Sequence, residues 1–511
     1  MRVRKAFCAE DLHALAVLLI ASAAVLMVCT MNSWLYPVNP WTDVNILGTM
    51  GRGMLNGQVL YRDLFDHKGP LIYFLFGLCQ WLIPGTYHGL YLLEVLCCAG
   101  AMFFGWKTIR LYLPGLSPLW MVPLFAVLAG ASVFSYGAST EELLLFPVAW
   151  SMYDLLVSWR GGVPLSSGTL LRNGVLAGCI LWTKFNLLSF HFVWMAAVAI
   201  DALVKEKKLW PPVKMCLIFL GGMAIATLPW LVYFGANGAL GIFIQSYLTD
   251  NIFRYALEGG ERYSALYNIA RWVYALTLQN PLYMALLAVA GVSVLAFPRA
   301  RMAVREKAML VAAALMMAAL MFSRGYYMAY YSVFLASYLP FALLPLAALR
   351  GRIRIRWPRW AMPAAAVAVI AASVGFGYLT CGESLWIGAP YAITPHARVA
   401  EAIENSGVED PTLAQYMSMD VGFYYTSGAR PAGRYFTATN IHQADYISAV
   451  DEMIDEGIPD FILASPGDPE QAPEFKDYDV VLNLSSHYGL QEGERVYFIL
   501  YQREGAQKEA T

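Results

Sequence analysis

WTDVNILGTMGRGMLNGQVLYRDLFDHKGPLIYF, residues 41–74, gathers Asp43, Arg52, Asp63, Asp66, His67 and Lys68 between two apolar runs at 12–32 and 88–106. The connection is about 55 residues long, and a loop of that length between spanning helices is usually functional. Its last part, 70–84, is apolar but only about 15 residues long, bounded by Gly69-Pro70 and Pro84-Gly85. Crossing ~30 Å of hydrocarbon takes ~20 helical residues, so this stretch reads as a re-entrant or interfacial helix. That decision sets the side of the membrane on which every later loop falls.

Working outward, apolar runs that suit spans lie near 12–32, 88–106, 118–134, 142–159, 173–183, 187–204, 213–234, 272–297, 308–322, 330–349 and 361–380. The run 173–183 is short and reads as part of a kinked segment with its neighbour. With the N-terminus inside, 20 basic residues fall on the cytoplasmic side, among them Arg2, Arg4, Lys107, Arg110 and the arginines of 350–359. Eight fall outside: Arg52, Arg62, Lys68, Lys184, Arg254, Arg262, Arg271 and Arg324. The asymmetry follows the positive-inside rule, and counting 70–84 as a span would reverse it. An odd number of spans then puts the C-terminal tail outside.

Composition agrees. Of 511 residues, 59% are hydrophobic and 14% charged, against ~25% charged in a soluble domain. The mean hydropathy is +0.51. No small-x-small cleavage pattern follows Thr30, so 12–32 reads as a retained helix. Residues 381–511 hold 21 acidic and 7 basic side chains, a net charge near −14. Such a tail is soluble and repels nucleic acid and anionic lipid. Eight scattered cysteines include no C-x-x-C pair, support neither a disulfide framework nor a zinc site, and read as small apolar fillers.

The expected fold is a polytopic α-helical membrane protein with about eleven spanning helices, residues 1–380, and a small soluble α/β domain, residues 381–511. It sits in the cell membrane with its N-terminus cytoplasmic and its tail outside. In the tail, 395–406 and 443–456 read as helices, and Thr412–Ser418, Phe461–Ala464, Val480–Leu484 and Val496–Tyr501 as apolar or strand-like runs. No internal repeat is apparent.

This threading brings further ionisable residues to the outer face: Thr140-Glu141-Glu142 at the mouth of a span, Lys184 in LWTKFNLLSF and Arg324 in SRGYYMAYY. Ionisable groups at such depth are costly and usually face a cavity. Asp43, followed by Gly57, Tyr61, Asp63, Asp66, His67, Lys68, Gly69 and Pro70, resembles the first outer loop of bacterial GT-C glycosyltransferases. The branch is that of protein O-mannosyltransferases and aminoarabinose transferases. Ser139-Thr140-Glu141 opening a span, Lys184 after a Gly-rich span (AGCILWTK), and the Tyr-rich RGYYMAYYSVFLASYLP are similar to the same branch, as is YYTSGARPAGRYF in the tail. One departure stands out: family members often carry a His before the Tyr of the Tyr-rich segment, where this chain has Ala329.

The resemblance implies transfer of a sugar from a polyprenyl-phosphate donor to an extracytoplasmic acceptor hydroxyl. It implies Asp43 as the base, Glu141 as a second carboxylate and Lys68 on the phosphate. Chemistry asks for the same parts, a carboxylate to take the acceptor proton and cations on the departing phosphate. Topology adds Lys184 and Arg324 as phosphate-binding candidates, while snorkelling to the interface is the plainer role for either. Tyr61, Asp63, Asp66 and His67 read as support for the loop. Glu142 rivals Glu141 for its role, and Glu94 and Asp154 read as structural. Two carboxylates are compatible with a Mg²⁺ or Mn²⁺ ion, but no ligand cluster has a spacing that fixes one. Two other classes compete: a secondary transporter, which would show repeats and mid-depth charges, and a non-catalytic polytopic envelope-assembly protein.

Overall fold

The structure is a computed structural model, and it describes residues 8–255, 263–322, 327–348, 361–416, 418–488 and 494–506. The chain falls into two compact units. One comprises Met1–Thr30, Tyr91–Trp230 and Glu261–Ser384, the other Met31–Leu90, Leu231–Gly260 and Leu385–Thr511.

The first unit is helical. Each of the eleven apolar runs contains a helix, but composition and interruptions limit how many are long and apolar enough to cross a membrane. Six of the described helices qualify: Ala9–Cys29, His88–Arg110, Phe185–Glu206, Trp210–Ala236, Ala329–Ala348 and Met362–Thr380. The pair Ala265–Gln279 and Pro281–Ala296, bent by 120°, makes a seventh if it is one span. The bend sits at Pro281, which lacks the N–H that would continue the helix. Other runs are divided or shortened, giving Met121–Ala129, Leu145–Gly161 and Ser167–Leu181, of 9, 17 and 15 residues. Residues Ala329–Ala348, with Pro340 and Pro345 inside, are wound as a 3₁₀ helix.

In the second unit the stretch after Lys68 forms the helix Pro70–Leu82, capped by Gly69 with Pro70 at its first position, where the missing N–H costs nothing. Its 13 residues are too few to span. It packs on the helix Thr42–Leu55 at two glycines. A methyl group on Gly51 would stand 2.4 Å from the Gly77 nitrogen, and one on Gly77 would stand 2.5 Å from the Gly51 oxygen.

The same unit holds a five-stranded sheet, ordered β2-β1-β3-β5-β4. Its strands are β1 (Thr412–Tyr416), β2 (Arg430–Pro431), β3 (Phe461–Ala464), β4 (Tyr478–Ser486) and β5 (Val496–Arg503). β1 pairs in parallel with β2 and β3, whereas β5 runs antiparallel to β3 and β4. The helix Gln443–Asp455 lays Tyr446, Val450 and Ile454, one residue per turn, on Ile462, Ala464, Ile499 and Tyr501. Burying each such side chain is worth ~1.5–3 kcal/mol. β2 escapes the sequence reading because two residues carry no alternation.

Candidate active site

The residues singled out in the sequence form two clusters, one in each unit. In the second unit, Asp43 lies in the first turn of Thr42–Leu55. The entry to that helix is tied down by side chains: Trp41 N–H donates to Asn39 Oδ1 at 2.9 Å and Asn45 Nδ2 to the Asn39 carbonyl at 2.8 Å. Tyr87 O–H donates to Asn45 Oδ1 at 2.8 Å. The Lys68 ammonium stands 3.3 Å from Asp43 Oδ1 and 4.0 Å from Asp66 Oδ2.

Lys68 is held by its backbone. Its N–H donates to Tyr73 Oη at 2.8 Å, and its carbonyl accepts from Tyr61 O–H at 2.6 Å. The preceding carbonyl, of His67, accepts from Asn251 Nδ2 at 2.6 Å. Tyr61 itself adopts the left-handed conformation, with φ of 65°, which bulky residues rarely take. The turn that imposes it is closed by Tyr61 N–H to the Leu64 carbonyl at 2.7 Å and Val59 N–H to Asp63 Oδ2 at 2.7 Å. Arg62 holds Asp63 through two bonds of 2.7 and 2.9 Å.

Asp66 is buried and accepts from Tyr73 O–H at 2.9 Å. Burial alone would raise its pKa, but Lys68 and His67 beside it hold the carboxyl well below the usual range. His67 Nδ1 is 3.2 Å from Asp66 Oδ1.

In the first unit, Ser139 caps the short helix Thr140–Leu143 by accepting from Glu142 N–H at 3.1 Å. Glu141 is fully buried and accepts from the Lys184 ammonium and, at 2.7 Å, from Thr140 O–H. The ammonium also sits 3.7 Å from the centre of the Tyr331 ring, a cation–π contact that a partly dry site strengthens. Glu142, the rival carboxylate, instead accepts from the Cys98 thiol at 3.4 Å. Glu94 receives Thr30 O–H at 3.0 Å and Ala138 N–H at 2.7 Å, and Asp154 receives Arg172 and Asn173. Arg324 lies outside the described residues. Ala329 opens the 3₁₀ helix that carries Tyr331.

Asn251, Asp250 and His442 escape the sequence reading, while Tyr73 and Tyr331 lie in stretches it quotes without naming either residue. Asp250 and Asn251 lie on a π-helix, Ile244–Arg254, a winding that recurs at functional sites and leaves no mark in residue periodicity. His442 Nε2 meets Asp250 Oδ2 at 2.8 Å, which ties that helix to the start of Gln443–Asp455. Among the described residues there is no group of three or more His, Cys, Asp or Glu that could hold a metal ion. Asp43 and Glu141 are each met by a lysine.

The fold is similar to that of ArnT from Cupriavidus metallidurans bound to undecaprenyl phosphate. The TM-score is 0.60 at 12% identity, covering 97% of this chain and 99% of that one. The apo state of the same protein gives 0.59 at 12% identity, covering 95% and 97%. The chain has the GT-C fold. A looser likeness, with a TM-score of 0.48 at 13% identity, is to the apo oligosaccharyltransferase of Archaeoglobus fulgidus, covering 88% of this chain and 69% of that one. No family model matches the chain, and no curated protein does. The GT-C fold expected from the first outer loop is thus the fold of the chain, a mostly helical bundle with a small sheet near its C-terminus.

Proposed function

We propose that the chain is a membrane glycosyltransferase that moves a sugar from a polyprenyl phosphate to an acceptor hydroxyl outside the cell. The observation that carries the reading is the likeness to a protein bound to undecaprenyl phosphate along nearly the whole chain, joined to a carboxylate–ammonium pair, Asp43 and Lys68, in the loop that first suggested the family. Asp43 takes the proton of the acceptor hydroxyl as that oxygen attacks the sugar carbon. Lys68 leaves Asp43 for the donor phosphate and stabilises the charge that grows there as the bond breaks. Departure of the ammonium also leaves the carboxylate free to accept a proton. A single displacement by one base inverts the sugar carbon.

Glu141 is the second carboxylate, and Lys184, held between Glu141 and Tyr331, is a further cation for the lipid phosphate. About eleven spans, a cytoplasmic N-terminus and an outward tail complete the proposal. None of the likenesses reported above favours the transporter or assembly-protein alternative.

The test is transfer of radiolabelled sugar from defined polyprenyl-phosphate donors by the purified protein. Product whose formation stops with Asp43→Asn supports the proposal. No transfer from any such donor, by protein that binds none of them, would overturn it.

A further inference from the structure

Cys29 ends the helix Ala9–Cys29, and Cys381 directly follows the helix Ala361–Thr380, both in the first unit. Both side chains are buried. The two helices meet where one of them has no side chain: a methyl group on Gly377 would stand 2.6 Å from the Cys29 sulfur. Cys381 comes four residues later, on the same face as Gly377, and its N–H still donates to the Gly377 carbonyl at 2.8 Å. Its thiol therefore reaches Cys29. It donates to the Cys29 carbonyl oxygen at 3.7 Å. The Cys381 sulfur is also 3.0 Å from Glu383 Oε2. Two buried cysteines that meet through a thiol–carbonyl contact, one of them beside a carboxylate, do more than fill space.

We infer that Cys29 and Cys381 are joined by a disulfide in the mature protein, stapling the ends of the first and last long apolar helices. The inference rests on the reading that these ends face outside the cytoplasm, where thiols are oxidised.

The oxidant is an extracytoplasmic protein disulfide, acting before the pair is buried. Glu383 takes the Cys381 proton, and the thiolate attacks one sulfur of the oxidant and expels the other as a thiolate. The Cys29 thiolate then attacks the Cys381 sulfur of the mixed disulfide, forming the Cys29–Cys381 bond and releasing the second thiolate. Two protein thiols are oxidised, one disulfide is reduced, and the two protons pass to the released thiolates.

The test uses full-length protein in its own membranes. Free thiols are blocked with N-ethylmaleimide at lysis, and the chain is digested without reductant and analysed by mass spectrometry. A linked peptide pair containing Cys29 and Cys381, lost on reduction, is expected, with the other six cysteines carrying the label. The melting temperature of the purified wild type should fall on reduction, and that of a Cys29→Ser/Cys381→Ser protein should not respond. A reporter fused after residue 390 separates the two readings. If it lies outside and both cysteines carry the label, the disulfide is overturned and the topology stands. If it lies in the cytoplasm, the topology is overturned and the disulfide with it.

Discussion

The Lys68 ammonium stands 3.3 Å from the Asp43 carboxylate, although the two residues are 25 positions apart and belong to different local structures. Asp43 rides on the first turn of a helix, and Lys68 is fixed by backbone hydrogen bonds with Tyr61 and Tyr73 and by the bond from Asn251 to the neighbouring His67 carbonyl. Under the proposed function, an incoming phosphate competes with Asp43 for the lysine.

Asp43→Asn should leave the protein folded and donor binding largely intact, while turnover falls by ~10²-fold or more. Asparagine keeps the size of the side chain and loses the ability to accept the proton. Single-turnover transfer measured beside donor affinity separates the two effects. Near-normal turnover would move the base to Glu141.

Lys68→Ala should weaken binding of the polyprenyl-phosphate donor roughly 10- to 150-fold, since a charge-assisted contact in a partly dry site is worth ~1.5–3 kcal/mol. Lys68→Arg keeps the charge and should retain part of the affinity. Equilibrium binding of undecaprenyl phosphate is the measurement, and unchanged affinity in the alanine variant removes Lys68 from the site.

Gly77→Ala should destabilise the second unit by ~1–3 kcal/mol, because the added methyl group meets the backbone oxygen of Gly51 at 2.5 Å. Backbone cannot swing aside as a flexible side chain does. Gly241→Ala, where an added methyl group meets nothing within 4 Å, is the control. Thermal unfolding in detergent should separate the two, and equal melting temperatures would contradict the close crossing of the helices.

Lys184→Ala should cost ~3–5 kcal/mol, because it leaves the carboxylate of Glu141 buried without its cation. Adding Glu141→Gln in the same chain should recover most of that stability but not the rate of transfer. Unfolding curves and turnover of the single and double variants check both halves. A double variant as unstable as Lys184→Ala would show that the loss has another origin.

Asp66 links stability to acid. Its folded-state pKa lies below the ordinary value because Lys68 and His67 outweigh its burial, so the carboxylate binds its proton more readily in the unfolded chain. The stability it contributes is present above the unfolded pKa of ~3.9 and is lost as pH falls further toward the folded value. Asp66→Asn should therefore melt below wild type at pH 7, and the gap should narrow as pH drops below ~4. A gap that is constant across that range would deny Asp66 this role.

What the sequence by itself determined is what depends on local order along the chain. Runs of apolar residues located the helices, the short strand-like runs Phe461–Ala464 and Val496–Tyr501 located β3 and β5, and a stretch bounded by Gly69-Pro70 and Pro84-Gly85 was too short to span. Ionisable groups beside long apolar runs, costly unless used, drew attention to Asp43, Lys68 and Glu141, and the resemblance to GT-C glycosyltransferases implied their candidate roles. Only the tertiary structure decided the pairings. Lys68 meets Asp43, Lys184 meets Glu141 under the Tyr331 ring, and Asn251 and His442 enter from segments with no pattern of their own. It also decided that Met31–Leu90 belongs to the same compact unit as Leu385–Thr511 rather than to the helices that flank it. The physical reason is distance along the chain. Helix and strand signals arise between residues a few positions apart, whereas a carboxylate finds its cation through the path of the whole backbone, set by close approaches such as Gly51 against Gly77 that no single segment encodes.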